Sequence, residues 1–368
     1  MSLKILKIAF GYLSLVVNIL IAVILIIAAY SDWVSPDGSL FLSYMGLLFP
    51  FFCFLSICIL IYWGVLKQWK LFLVSFLSIV ICWGPIKRYA TYHSLTKEVP
   101  TENTIKVLTY NVMGFAYQNH TKEEPNQIIE YIAKSDADIV CLQEYFAGKS
   151  KNNLSEAKIY EALHMYPYRS SFFLNDNSQY KSGIAVFSKY PISKSRKIRY
   201  GSMGNGSSIH EITINKKKII LVNNHLESFK LTTEDRSNYS EFIRNPGTDS
   251  FDEIKGSFQQ KLGPAFLARA NQARIIREEI DKANGDYVLV CGDLNDTPIS
   301  YANRTIQGEL LDAFVESGKG LGITYNQNFF WFRIDRIFYS SNMKSFNCTV
   351  DKVDYSDHYP LWCYLQMN

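Results

Sequence analysis

Near the C-terminus, Tyr355-Ser356-Asp357-His358-Tyr359-Pro360 sets a carboxylate beside an imidazole. Upstream, Gly292-Asp293-Leu294-Asn295-Asp296 follows directly on an apolar run. A carboxylate–imidazole pair together with an Asp-x-Asn at a strand end suits metal-assisted attack of water on phosphorus. Either motif alone is common. In this order they point to a metal-dependent phosphoesterase.

Further polar residues recur directly after apolar runs: Asn111, Glu144 and the pair Asn224-His225. Polar residues at strand ends often only begin turns, but the ends of a packed sheet are also where side chains converge on one cleft. Carboxylates buried at such density repel one another unless a cation is present. Ligation by Glu144, Asp357 and Asn111, with no Cys-His cluster, favours a hard cation, Mg²⁺ or Mn²⁺, over zinc. His358 is the candidate for activating water, and Asp335, in Arg333-Ile334-Asp335-Arg336, for orienting that imidazole; the plainer reading of Asp335 is a salt bridge to a neighbouring Arg. Asp293 and Asn295 would position the nucleophile and contact phosphoryl oxygens. His225 would donate to the same oxygens or assist the leaving group, unless it is a structural histidine.

These residues need a sheet to carry them. Thr104–Tyr110 reads as a strand ending at Asn111, Ile128–Lys134 as a helix, and Ala137–Leu142 as a buried strand delivering Gln143 and Glu144. Gly183–Phe187 reads as a strand. Ile209–Ile214 and Lys218–Asn223 form a hairpin through Asn215-Lys216-Lys217. A helix begins near Pro264, with Ala268, Ile275, Ile276 and Ile280 on one side. Tyr287–Cys291, Arg333–Tyr339 and Leu361–Leu365 are the remaining strands. Glu227–Gly263, broken at Asn245-Pro246-Gly247, reads as a polar surface excursion. Phe329-Phe330-Trp331-Phe332 reads first as a buried strand, and second as aromatics offered to a base or an acyl chain.

The chain has 368 residues, 48% of them hydrophobic, and a net charge of +4. That mild, dispersed charge argues against a dedicated nucleic-acid groove. Seven cysteines without short pairing read as buried free thiols. Residues 1–88 read as a membrane region: Ile8–Ala29, Leu40–Trp63 and the shorter Leu71–Ile86 are apolar runs near spanning length. Lys4 and Lys7 before the first run, and Lys67 and Lys70 in the second connection, mark the cytoplasmic side. Three spans would then place everything after a polar linker, residues 89–103, outside the cell. The expectation is a multi-pass protein of the bacterial inner (plasma) membrane, touching the bilayer through these helices, with residues 104–368 extracytoplasmic and no protein partner. A re-entrant third segment would reverse that orientation.

From about Lys106 to Leu365 the chain resembles the endonuclease/exonuclease/phosphatase (DNase-I-like) superfamily. The matching pieces are Thr109-Tyr110-Asn111-Val112, Leu142-Gln143-Glu144, Lys181-Ser182-Gly183-Ile184-Ala185 with Ser188-Lys189-Tyr190-Pro191, Asn224-His225-Leu226, Gly292-Asp293-Leu294-Asn295, Arg333-Ile334-Asp335 and Ser356-Asp357-His358. The resemblance implies an α/β fold, a four-layer sandwich of two mixed sheets flanked by helices. It implies Glu144 as the principal Mg²⁺ ligand with Asn111 and Asp357 near the metal. Asp293 and Asn295 would align water and phosphate, and His358, held by Asp335, would act as general base or electrostatic partner. His225 would be the second catalytic histidine of the nuclease and phosphodiesterase branches. The substrate is a phosphate ester: nucleic acid, nucleotide or lipid headgroup. The competing readings are an extracytoplasmic nuclease, a headgroup phosphodiesterase of sphingomyelinase type, and a non-catalytic binding domain at the membrane.

Overall fold

The computed structural model describes residues 3–150, 153–202, 204–245, 250–327 and 329–368; Pro246 and Gly247 of the expected break lie outside them. The chain divides into two compact units, Met1–Tyr89 with Thr297–Arg304, and Ala90–Asp296 with Thr305–Asn368.

The first unit is helical. Leu3–Ala29 is continuous, and its Gly11–Ala29 portion is the one described helix long and apolar enough to cross a membrane. The other two expected spans are each a bent pair. Leu40–Leu47 meets Phe49–Val65 at 56°, and Trp69–Ile81 meets Trp83–Tyr89 at 62°. Both breaks have a local cause. Pro50 has no N–H to extend a helix backwards and so begins a new one, and Gly84-Pro85 plays the same part after Cys82. Inside this unit Asn18 Nδ2 donates to Leu71 O at 2.7 Å and Tyr30 OH to Ile81 O at 2.6 Å. Leu3–Ala29 and Trp69–Ile81 therefore run parallel. Phe49 packs among Leu25, Ala28 and Ala29, at the end where the first helix finishes.

The second unit is a sandwich of two six-stranded sheets. One runs, in spatial order, Met343–Val350, Leu361–Met367, Thr104–Asn111, Ile139–Gly148, Tyr180–Ser188, Tyr168–Asp176. The other runs Leu311–Asp312, Asp335–Tyr339, Tyr287–Asp293, Lys217–His225, Gly206–Ile214, Ile192–Ile198. Alternation along each strand builds the layers. Ile105 and Val107 join Ile139, Cys141, Leu221, Leu289 and Cys291 between the sheets, while Leu108 and Tyr110 face outward onto Ile128, Ile129 and Ile132 of the Gln127–Lys134 helix. Cys141, Cys291, Cys348 and Cys363 are buried free thiols in this unit, as expected, although Cys58 of the helical unit is exposed.

Each sheet contains one parallel pair: Thr104–Asn111 beside Ile139–Gly148, and Lys217–His225 beside Tyr287–Asp293. Their C-terminal ends carry Asn111, Glu144, His225 and Asp293, so the expected convergence has a topological basis. The expected hairpin is present, with Asn215 and Lys216 both at positive φ, as a two-residue type I′ turn requires. Three sequence expectations need correction. The strand carrying Glu144 does not stop there but runs to Gly148, with the register broken between Leu142 and Tyr145. The long helix is Ser250–Lys282, with Pro264 inside it rather than at its start. The polar excursion contains a helix, Thr233–Arg244, closed by a Thr232/Asp235 capping box.

Gly292 shows how tightly the site is built into the sheet. Its φ is +128°, and a Cβ there would lie 2.0 Å from Asn224 O. Gly292→Ala should therefore lower stability by roughly 3 kcal/mol or more. Gly201→Ala, where a Cβ meets nothing within 4 Å, should leave the melting temperature unchanged. Equal melting temperatures for the two variants would refute this account.

Candidate active site

Asp293 is the hub. It is fully buried and stands in register between two neighbours, His225 on one strand and Asp335 on the other. His358 Nδ1 donates to Asp335 Oδ2 at 2.8 Å, and His358 Nε2 lies 3.7 Å from Asp293 Oδ2. His225 Nε2 lies 3.8 Å from the same oxygen and 3.7 Å from Glu144 Oε1. Asn111 Nδ2 donates at 3.1 Å both to Glu144 Oε1 and to Asp293 Oδ2, joining the two sheets across the site. The backbone N–H of Asn295 donates to Asp293 Oδ1 at 2.8 Å, and its side-chain amide to Leu226 O at 2.9 Å. Ser356 Oγ donates to Asn111 O at 2.8 Å, which seats the Asp357-His358 turn against the strand end. Thr324 Oγ1 accepts the N–H groups of Ile334 and Asp335.

Glu144 and Asn295 both sit at positive φ, near 50°. Such conformations cost of order 1–3 kcal/mol each for non-glycine residues and gather at functional sites. At Glu144 the cause is the break in register, which turns the side chain toward Asn111 and His225.

Asp335 bonds the His358 imidazole and not a neighbouring Arg. One expected placement differs in detail. Asn111 turns its amide nitrogen toward the carboxylates, while its Oδ1 accepts the N–H of Met113 at 3.2 Å; as placed it is a donor to acids rather than a metal ligand. Asp357 accepts from Ser356 Oγ at 3.3 Å and acts as a nearby negative charge on His358 and Tyr117.

The donor set fits a hard cation. Among the described residues Asp293, Asp335 and His358 offer ligand atoms that lie within 4.8 Å of one another. Asp335 Oδ1 is buried without a hydrogen-bond partner, and no Lys or Arg among the described residues forms an ion pair with Glu144, Asp293, Asp335 or Asp357. Carboxylate oxygens that no Lys or Arg neutralises suit Mg²⁺ or Mn²⁺.

Burial and neighbouring charge set the protonation states. Burial, then the adjacent Asp335, raise Asp293 to about 6 against the pull of the two imidazoles. For His358 burial disfavours the cation, but Asp335 and Asp293 outweigh it and push the ring up to about 10. At neutral pH His358 is an imidazolium, and Asp293 is poised to exchange a proton.

Two polar residues of this neighbourhood were not evident in sequence. Asn205 Nδ2 donates to Leu226 O at 2.7 Å and lies 3.3 Å from His225 Nε2; it precedes a strand without any motif around it. Tyr325 forms a β-bridge with His358, their rings 5.1 Å apart. It belongs to a short hairpin, Tyr325–Gln327 with Phe330–Phe332. The aromatic run is therefore not a buried strand, for Trp331 is 60% exposed.

A profile of the Endonuclease/Exonuclease/phosphatase family matches residues 108–358, more than half of the chain. The protein belongs to that family. A second profile, described only as a domain of unknown function, matches residues 10–89. No curated protein matches. Among solved structures, an endonuclease/exonuclease/phosphatase from Bacteroides vulgatus is 17% identical, with 73% of this chain and 100% of that chain covered and a TM-score of 0.50. A family protein from Bacteroides thetaiotaomicron is 16% identical over 75% and 97% of the two chains, TM-score 0.49. D. rerio TDP2, described as complexed with single strand DNA product, is 16% identical over 72% and 100%, TM-score 0.47.

The His358–Asp335 pairing is testable in isolation. The folded-state value of His358 lies above its unfolded value of about 6.5, so the pairing stabilises the fold fully below that pH and its contribution is lost as pH rises toward 10. In Asp335→Asn, the His358 ring followed by NMR titration should fall toward 6.5. The loss of stability between pH 7 and 10 should shrink with it. A ring that still titrates near 10 would show that Asp335 is not the cause.

Proposed function

We propose that the protein is a membrane-anchored, Mg²⁺-dependent phosphoesterase that drives water onto phosphorus. The observation that carries this is Asp293, buried between His225, Asp335 and Asn111, with the Asp335-bound His358 facing it. A resident Mg²⁺, or Mn²⁺, would be held by Glu144 with the Asp357 side of the cluster, and would supply charge neutralisation at the phosphoryl oxygens. Asp293, near neutral in pKa, takes the proton of the attacking water. Asn295, fixed by Leu226 O and tied through its backbone to Asp293, aligns the water and phosphate. Of the two roles expected for His358, general base or electrostatic partner, the second fits: already protonated, it stabilises the charge that develops on the phosphoryl oxygens. His225, held beside Asn205, donates to the same oxygens or to the leaving group.

The helical unit supports the anchoring. Its first and third segments run parallel and Phe49–Val65 packs against both, an arrangement compatible with three crossings if each bent pair is one span. Asp32, just after the first helix, forms an ion pair with Arg88 at 2.6 Å, so the unit ends on the face where the first helix ends. Lys4 and Lys7 begin on the opposite face. With those lysines cytoplasmic, the chain after Tyr89 emerges outside a bacterial inner membrane.

Two substrate classes follow from different observations. The anchor favours a lipid headgroup phosphodiester. The exposed rings of Tyr117 and Trp331, 71% and 60% exposed, favour a nuclease that stacks bases.

Hydrolysis of bis-p-nitrophenyl phosphate, nicked plasmid, sphingomyelin and phosphoinositides should be compared with and without EDTA. Turnover should vanish with the chelator and return with Mg²⁺. Glu144→Ala and His358→Ala should each lower kcat/KM by about 10² or more. The pH profile of kcat/KM should be bell-shaped, with an acid limb from Asp293 and an alkaline limb from His358. Turnover indifferent to EDTA and to both substitutions would remove the enzyme reading. For topology, a cysteine at the exposed linker position Glu98 (Glu98→Cys) should react with an impermeant thiol reagent in intact cells; protection there until lysis would put the domain inside.

A further inference from the structure

The helix that the sequence conceals within its polar excursion carries a cation toward the site. Thr233–Arg244 stacks Tyr239 on Phe330 of the hairpin, with ring centroids 4.4 Å apart and planes 17° from parallel. Three residues earlier on the same helix face stands Arg236, half-buried. The hairpin register places Phe330 opposite Gln327 and Phe332 opposite Tyr325, so its base, not its tip, leads to the β-bridge between Tyr325 and His358. Electrostatics agree. Burial raises the Tyr325 hydroxyl to about 12, Arg236 acts against that rise, and Asp357, Asp293 and Glu144 add to it. One tyrosine is thus within reach of Arg236 and of three site carboxylates.

Among the described residues no acid forms an ion pair with Arg236. The positions three and four residues away on its helix are Thr232, Thr233, Tyr239 and Ser240, where an ion-pair partner would need to be. Asp235 beside it is already engaged by Thr232, Ser257 and Lys261. The hairpin strands Tyr325–Gln327 and Phe330–Phe332 carry no carboxylate. Side-chain entropy disfavours holding an arginine half-buried without a partner. Its planar fork of donors matches the oxygens of a phosphate.

We propose that Arg236 is a substrate-binding residue that takes non-bridging oxygens of the phosphate ester on the His358 side of the site, the stacked Tyr239–Phe330 pair holding its helix in place. This rests on the phosphoesterase reading for its substrate. The binding of phosphate itself can be measured apart from turnover.

The full-length protein in detergent, with MgCl₂ at neutral pH, should be titrated with inorganic phosphate and followed by ³¹P NMR line broadening. Wild type should bind, Arg236→Ala should bind about tenfold more weakly or worse, and Arg236→Lys should recover part of the loss. Melting temperatures should stay together. With p-nitrophenyl phosphate and its diester, Arg236→Ala should raise KM about tenfold while kcat moves less than about threefold, and the doubly charged monoester should suffer more. Equal phosphate binding by wild type and Arg236→Ala, or no binding by wild type, overturns the proposal. A loss confined to kcat and melting temperature overturns it too, by making Arg236 structural. Weakened phosphate binding in a protein that hydrolyses none of the esters would leave Arg236 as an anion ligand and would instead remove the enzyme reading.

Discussion

Two carboxylates buried side by side govern this structure. Asp293 and Asp335 are register partners on adjacent strands, both almost wholly out of solvent. Like charges placed directly opposite in a sheet are destabilising. At an effective dielectric near 20 and about 4 Å, two unit charges interact by about 4 kcal/mol, so the pair requires compensation. His358 supplies it by bonding one acid and facing the other. His225 faces Asp293 from the strand beyond, and Asn111 donates from the opposite sheet. Removing any one of these leaves a buried charge less compensated, so the site is a single electrostatic unit and not a collection of motifs.

That unit dictates backbone geometry around it. Asn111 can reach Asp293 only because the central parallel pairs of both sheets end at the same edge. Glu144 reaches the same point through a break in strand register and a positive φ, while Gly292 lets the Asn224 backbone approach where any side chain would collide. Strain at Glu144 and Asn295 is stored in a framework whose intersheet core is aliphatic and closed. Gln143 Nε2 donates to Asn223 Oδ1 at 2.7 Å, and Asn223 donates to Leu142 O and Ala185 O, pinning the two sheets immediately below the acids. A pair of sheets less firmly held would relax these residues to ordinary conformations and separate the charges.

The division between what could be read from sequence and what could not follows the same lines. Strand-end chemistry was legible because a short apolar run followed by Asp, Asn, Glu or His is a local pattern, and four such pieces, at Asn111, Glu144, Asn224-His225 and Asp293, occur in one order. The sandwich strands with strong apolar alternation were legible too. Tyr168–Asp176 and Ile192–Ile198 were not, since most of their residues are exposed or half-buried and leave no stripe. Asn205 acts through a side-chain amide that donates to Leu226 O, a placement that no spacing encodes. Arg236 lies on a helix whose signal, the Thr232-x-x-Asp235 cap, was present but submerged in a charged stretch. The Asn111 amide was read as a ligand because residue type does not say which of its two ends will face the acids. The bent helix pairs follow from Pro50 and Pro85, whose effect on a long apolar run is visible once each is treated as a helix start.

The protonation states bear on how such a site divides its labour. An imidazole activated by a carboxylate is the usual candidate for a base, and the sequence suggests that role for His358. Two acids instead of one change the outcome: the ring is held as a cation across the whole physiological range, so it has no capacity to accept a proton. The same pair of acids raises Asp293, because ionising it beside Asp335 is unfavourable. In the proposed function the proton-accepting role therefore goes to Asp293 and the charge-stabilising role to His358. A cation bound among the same oxygens would lower Asp293 and weaken its hold on His358, moving both values down. Burial of the second acid is thus what separates the base from the electrostatic partner.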